Sequence, residues 1–335
     1  MKCFQSLVVA AALAVFGGMS HAQSLSLEGG GSASLTGIVP QTYAQFAAEE
    51  GVPLQVVLGQ TLTRSALKVA AGQIDIAVVP PDAYNAMKKG VGPYADLAEQ
   101  AKDLAPNLRA LFGFPGGTFH AIAWADSGIE SWDDIKGKRV FIGPPAGAAS
   151  RQISGMIAAA SGGLTPDGDY EGIKAPWDAA QQSFQDGQYD VYVGSLAVGS
   201  QALNELSLQR EIVILGVPDE VLGTDVWNTY TEESAMSETV IPAGTYSGQI
   251  NGDKDLNAVA TSMMMSVNAS MDDETAYKLT KAYWENLDAM KNANALMRSI
   301  DPSAPFASLS ATLHPGAVRY YQEAGIEVPA NLMPN

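Results

Sequence analysis

The chain is 335 residues long, carries 36 acidic against 19 basic side chains for a formal net charge of −17, and contains one cysteine. An acidic surface of that size argues against nucleic acid or an anionic membrane as partner. The lone thiol, Cys3, leaves no disulfide framework, so a buried core must stabilise the fold, and the length predicts two domains.

Residues 1–22 read as a secretory leader. Lys2 supplies the positive start, residues 7–16 an apolar core, and Ser20-His21-Ala22 a small-residue cleavage site before Gln23. The apolar core is too short for a bilayer span, and no later stretch is apolar enough for one. The expectation is an exported, periplasmic protein with no membrane insertion after cleavage.

From there the chain alternates strand and helix signals. An apolar start at Leu25 runs into Gly29-Gly30-Gly31-Ser32-Ala33-Ser34. A strand over 54–58 leads to a helix over 62–71 closing at Gly72, and a buried strand over 74–79 stops at Pro80-Pro81. Asp82 reads as the N-cap of a helix over 83–89. Strands over 108–114 and 118–124 and a short helix over 131–136 come next. A strand over 140–142 then enters a glycine loop, Gly143 to Gly147, and Ser150 stands as the cap of a helix over 152–160. Further on, 201–206 reads as helix, 211–215 as strand, and the chain to 246 as irregular. Two helices over 255–270 and 272–290 and a short one within 313–325 complete the reading. The run Met263-Met264-Met265 reads as core filler rather than a sulfur metal site.

Two features recur at nearly the same offset: the glycine loops after Leu25 and Val140, and Gly-Gln-x-Asp at Gly72 to Asp75 and Gly187 to Asp190. Each half thus runs strand, glycine loop, helix, glycine stop and strand. This is the pattern of two similar α/β lobes whose ligand loops lie beyond the carboxyl ends of their strands. The loops after the repeat's second strand are 80–82, with Pro81 and Asp82, and 194–198, with Ser195. A strand, a glycine turn and a helix start also present backbone N–H groups to an anion. Arg64 and Arg151, scarce cations directly after such loops, suit a carboxylate through the guanidinium fork. Trp177 is a candidate cleft wall.

Other chemistries fit poorly. The loop at Gly143 lacks the Gly-Lys-Ser/Thr of a phosphate-binding loop, and Ser34 stands where a dinucleotide loop needs glycine or alanine. Ser65-x-x-Lys68 lacks the Lys-Thr-Gly and Ser-Asp-Asn partners of a penicillin-binding enzyme. After the leader only His120 and His314 remain, too few ligands for zinc, and Asn251-Gly252-Asp253 and Asp167-Gly168-Asp169 read as turns, not calcium loops. No cofactor or metal is expected.

Four segments together resemble the TAXI-type solute receptors of TRAP transporters. They are Gly72-x-x-Asp75 running into Pro81-Asp82, Ile135-Lys136-Gly137-Lys138-Arg139-Val140 before the glycine loop, Asp186-Gly187-x-x-Asp190, and His314-Pro315-Gly316-Ala317 with Tyr320-Tyr321 and Gly325. The resemblance spans nearly all of the chain after the leader. It implies an exported two-lobed receptor that closes on a small organic acid and delivers it to a membrane permease. Members bind amino acids such as glutamate, or dicarboxylates such as 2-oxoglutarate. Its ligand loops correspond here to residues 29–36, 59–64, 80–82 and 143–151. The first loop departs from the family's tyrosine pair with Ser32-Ala33-Ser34-Leu35-Thr36. The second departs from its Gly-Ser pattern with Gln60-Thr61-Leu62-Thr63-Arg64.

The expectation is therefore an α/β, two-lobed type-II periplasmic-binding-protein architecture with a ligand cleft between the lobes. The first lobe takes residues 23–122 with 241–335 and the second 123–240, and the C-terminal helices pack on the first. The expected ligand-binding residues are Gly31, Ser32, Ser34, Thr63, Arg64, Pro81, Asp82, Gly147, Ser150, Arg151, Trp177 and Ser195. Expected partners are a small-molecule carboxylate and an integral-membrane TRAP permease, for a monomer without catalysis. Two alternatives stand beside this: an exported hydrolase with Ser32, Ser34 or Ser150 as nucleophile and one of the two histidines as base, or a receptor feeding a sensor kinase.

Overall fold

The computed structural model describes residues 24–32, 34–145, 148–306 and 309–334; the expected leader, 1–22, lies outside them. In chain order the elements are β1 (Leu25–Glu28), α1 (Leu35–Glu49), β2 (Leu54–Val57), α2 (Leu62–Ala70), β3 (Ile76–Val79), α3 (Pro81–Lys89), α4 (Ala98–Leu104) and the long β4 (Leu108–Trp124). Next come β5 (Arg139–Phe141), α5 (Ala149–Ser161), β6 (Glu171–Ile173), α6 (Trp177–Gln185), β7 (Val191–Leu196), α7 (Gln201–Gln209), β8 (Ile212–Leu215), α8 (Asp225–Glu233) and β9 (Met236–Ile241). The chain returns along β10 (Leu256–Asn268) and ends in α9 (Asp273–Glu285), α10 (Leu287–Ala293) and α11 (Pro315–Glu323).

The strands form one mixed sheet in the order β2-β1-β3-β10-β4-β7-β5-β6, with β8 on β4 and β9 on β10. Each half has the same plan. Three parallel strands stand in the order second-first-third (β2-β1-β3 and β6-β5-β7), and a long antiparallel strand follows, β10 in one half and β4 in the other. The two long strands pair with each other from Ser262↔Pro115 to Asn268↔Leu108 and join the halves. Buried side chains divide accordingly. One core contains Leu27, Val78, Phe112, Met264, Met265, Tyr283 and Tyr321 with α1, α9 and α11. Beyond it, two smaller cores cover the faces of the other half, one around Ile153, Trp227 and Val259, the other around Phe184, Tyr192 and Tyr246.

The Gly-Gln-x-Asp repeat has one structural job in both lobes. Gly72 (φ +68°) and Gly187 (φ +73°) turn the chain out of a helix in the left-handed conformation that glycine tolerates. Asp75 then accepts from Ser26 N–H and Oγ–H, both at 2.7 Å, at the start of β1. Asp190 accepts from Arg139 N–H at 2.8 Å and from its guanidinium at 2.8 and 3.2 Å at the start of β5. These aspartates clasp the amino ends of the strands, away from the loops that face the other lobe.

Several expectations are corrected. Residues 256–268 form β10, not a helix: both faces are buried, so no period-2 pattern marks a run rich in Ala and Met, and pairing with β3, β4 and β9 overrides propensity. The expected strands 108–114 and 118–124 are one strand passing through Pro115-Gly116-Gly117. The segment read as irregular contains α8 and β9. Asp82 and Ser150 are not caps: α3 starts at Pro81 behind Pro80, and α5 starts at Ala149 behind Ala148, so both residues sit at the second helical position.

Candidate functional site

Strand direction decides where a ligand site lies. The carboxyl end of β3 reaches Met264, next to where β10 pairs with Pro115; that of β7 reaches Thr118 on β4. The carboxyl ends of both parallel sets therefore converge on the crossing, and the loops that follow them face each other across it.

The crossing itself is tight. Gly117 N–H donates to Thr261 Oγ at 2.8 Å, and that hydroxyl donates back to Gly117 O at 3.2 Å. A Cβ on Gly116 would lie 2.3 Å from Thr261 Oγ, and one on Gly117 would lie 2.5 Å from Ser195 Oγ. Ser195 is thus placed at the crossing, half-buried, on the sheet face opposite His120, because Ser195 pairs with Phe119 and successive side chains alternate.

In the first lobe the loop after β1 folds onto itself. Gly29 N–H donates to Val57 O, Gly30 N–H to Thr36 O and Ser34 N–H to Gly31 O, so these amides are spent internally. Ser34 Oγ bonds Gly31 O at 2.9 Å and Thr36 Oγ at 2.5 Å; Gly31 and Ser32 are exposed. Beneath the loop Glu28 is buried, and the Ser65-x-x-Lys68 pair holds it: Ser65 Oγ donates to Oε2 and Lys68 Nζ to Oε1, both at 2.6 Å. That motif secures α2 against the end of β1 and has no nucleophilic arrangement.

The third loop brings charge together. Asp82 is 8% exposed, and among the described residues its Oδ1 has no hydrogen-bond partner. Burial raises its carboxyl above the usual carboxylate range, while amides of the α3 first turn and the Arg151 guanidinium pull the other way. Arg151 belongs to the opposite lobe. Its exposed side chain crosses to Gly92, where a Cβ would stand 3.2 Å from Nη1. Arg151 and Asp82 do not form an ion pair within 4 Å, so a gap separates them. Around it, Tyr94 Oη–H donates to Thr63 O at 2.8 Å, and Ser310 Oγ–H donates to Pro81 O at 3.3 Å. Burial, with the Asp82 charge adding to it, raises the Tyr94 phenol.

The structure therefore brings Thr63, Pro81, Asp82 and Arg151 to one place. Arg64 is exposed on α2. Ser150 lines a cavity of about 370 Å³ with Arg151, Ser154, Asp167 and Lys174, between α5 and the β6 edge. Arg151 also lines a groove of about 820 Å³ between α5 and α8. Trp177 opens α6 and packs edge-on against Phe141, ring centroids 5.4 Å apart. Gly147 lies outside the described residues. Sequence reasoning missed Gly92, Tyr94, Gly116, Gly117 and Thr261. Of these only Gly116-Gly117, interrupting an apolar strand, left a signal.

The hydrolase pairing does not form among the described residues. His120 is fully buried: its Nδ1 lies 2.9 Å from Thr118 O, and its Nε2 lies 2.9 Å from Tyr246 Oη. A carbonyl only accepts, so Nδ1 carries the proton and Nε2 accepts from the phenol, whose oxygen takes Gly199 N–H at 3.1 Å. Burial lowers this imidazole to about 4. His314 caps α11, its Nδ1 accepting from Gly316 N–H at 3.2 Å. Neither bonds Ser32, Ser34 or Ser150. Among the described residues no group of three His, Cys, Asp or Glu side chains could hold a metal, and no helix is long and apolar enough to cross a membrane.

Two α/β lobes with facing strand ends, joined by two long antiparallel strands, are the architecture of type-II periplasmic binding proteins. Residues 41–325 match the NMT1-like family, and the chain belongs to that family. Similar solved structures include the alkanesulfonate-binding protein SsuA from Xanthomonas axonopodis pv. citri bound to MOPS. It is 12% identical, with 90% of each chain covered and a TM-score of 0.48. A TRAP periplasmic solute-binding protein from Sulfitobacter sp. NAS-14.1 with bound β-D-galacturonate is 10% identical, over 90% of this chain and 87% of that one, at a TM-score of 0.46. DctP7, a Bordetella pertussis extracytoplasmic solute receptor binding pyroglutamic acid, is 14% identical over 91% and 92%, also at 0.46.

Proposed function

We propose that the protein is an exported, periplasmic solute receptor of the TAXI type, which holds a small carboxylate between its lobes and delivers it to a TRAP permease without catalysis. The observation that carries this reading is the meeting of Asp82 and Arg151, from opposite lobes, at the gap between the carboxyl ends of the two parallel strand sets. A ligand in that gap touches both lobes only when they are closed, and so shifts the population toward the closed form. The guanidinium of Arg151 supplies the carboxylate contact, and Thr63, Pro81, Asp82 and Ser195 line the remainder.

We place the lobe limits at the crossing itself, residues 116–117 on the way out and 260–262 on the way back, rather than at 122 and 240. The packing of Phe119, Tyr246, Leu256 and Val259 in the second lobe's cores supports this placement.

The test is a thermal-shift screen of organic and amino acids on the mature protein, in EDTA, followed by small-angle scattering with each hit. A ligand at a hundred times its Kd should add about 2.7 kcal/mol of stability by mass action and compact the molecule. A screen without any stabilising carboxylate, or scattering unchanged at saturation, overturns the reading.

A further inference from the structure

We infer that Asp82 accepts a hydrogen bond from an N–H or O–H donor on the bound carboxylate, making the receptor selective for donor-bearing acids over donor-free mono- and diacids. This rests on the cleft reading above and adds the determinant of specificity.

Among the described residues, Asp82 Oδ1 is an acceptor without a donor. Asp82 is more than nine-tenths buried, and its Oδ1 has no partner among the described residues. A buried carboxylate oxygen left unpaired is costly, and native structures rarely keep one without a use. Two hydroxyls nearby are committed to carbonyls, Tyr94 to Thr63 O and Ser310 to Pro81 O. Among the described residues the one cation bearing on it, Arg151, stands across the gap on the other lobe with its guanidinium against Gly92.

The gap is therefore bipolar: a guanidinium on one wall, a carboxylate acceptor on the other. A carboxylate turned to Arg151 leaves its far side facing Asp82. An ammonium or hydroxyl there completes the open acceptor, a methylene leaves it unpaired, and a second carboxylate meets a like charge. Burial, which holds the Asp82 carboxyl above its usual range, adds that the site bears a desolvation cost before any ligand arrives. A carboxylate kept for a ligand rather than for the fold should then weaken the empty protein.

Calorimetric titration with matched trios tests this, each an amino acid, its 2-hydroxy analogue and the unsubstituted acid: glutamate, 2-hydroxyglutarate and glutarate; leucine, 2-hydroxy-4-methylpentanoate and 4-methylpentanoate; alanine, lactate and propionate. In the trio that binds best, the unsubstituted acid should bind at least tenfold more weakly than a donor-bearing partner. The ammonium and hydroxyl members tell which donor is used. Asp82→Asn should cost the donor-bearing acid tenfold or more and the unsubstituted acid less than threefold, while the empty variant melts no lower than wild type at pH 7. An unsubstituted acid that binds as tightly as its partners overturns the inference and leaves the receptor reading standing, and this arm needs no variant. A preference unchanged in Asp82→Asn also overturns it. No binding by any carboxylate of the trios or the wider screen removes both readings.

Discussion

The two lobes share a plan and differ in how they use it. Each sets three parallel strands beside one long antiparallel strand, and each clasps its first strand with an aspartate from the Gly-Gln-x-Asp turn. Among the described residues the first lobe adds three C-terminal helices and has a single core, whereas the second covers its sheet with two smaller cores. At the cleft the first lobe contributes a buried acid, Asp82, and the second an exposed base, Arg151. Repeating a fold thus repeats the devices that hold strands together, while the residues facing the partner lobe are free to diverge toward opposite charge.

The largest test of this comparison is acid. Among the described residues each lobe buries one histidine, His314 in the first and His120 in the second. Burial lowers the His120 imidazole to about 4, so below its unfolded value the unfolded chain takes up a proton that the native protein refuses. Stability should accordingly fall as pH drops from about 6.5 to about 4, by at most roughly 3 kcal/mol for this group, and level off below. Burial also lowers His314, but Asp273, 3.8 Å away, favours its cation. Urea titrations between pH 7 and 4 should therefore show a flatter profile for His120→Gln than for His314→Gln. Equal profiles would place the acid sensitivity elsewhere.

Next in size are the clasps. Asp75→Ala strands the Ser26 amide and hydroxyl, and Asp190→Ala strands the Arg139 amide; each should cost about 1–3 kcal/mol in urea unfolding. Hydrogen exchange sharpens the comparison, since Asp75→Ala should loosen β1 and its neighbours and Asp190→Ala the strands around β5. Loosening of the same strands by both variants would mean that the lobes unfold as one unit.

Smaller again is Gly92→Ala. Its φ of +59° penalises any Cβ, and that Cβ would press on Arg151, so a loss of about 1 kcal/mol is expected from the backbone alone. Displacing the guanidinium should also weaken ligand binding, which a titration of the best acid from the screen will read. The smallest effect is expected for Arg64→Ala: an exposed side chain on α2 should change stability by less than about 0.5 kcal/mol. Its ligand affinity should stay within twofold, and a larger loss would give the first lobe a cation of its own.

Local chemistry made much of the molecule legible from its sequence. Short β-branched runs ended by Gly or Pro gave β2, β3, β5 and β8, left-handed glycines marked the ends of α2 and α6, and the helix expected from residue 272 began one residue later, as α9. The repeated turn announced two similar lobes, because turn geometry depends on a few adjacent residues. Tertiary structure alone decided the rest. Whether 256–268 became helix or strand depended on three neighbouring strands, since a segment buried on both faces carries no amphipathic signal. Strand direction decided that Asp82 and Arg151 would stand on opposite sides of one gap, and no spacing along the chain encodes that arrangement. The glycine loop after β1, which reads locally as an anion cradle, turned its amides inward onto Val57 and Thr36, a choice visible only once β2 and α1 were packed beside it.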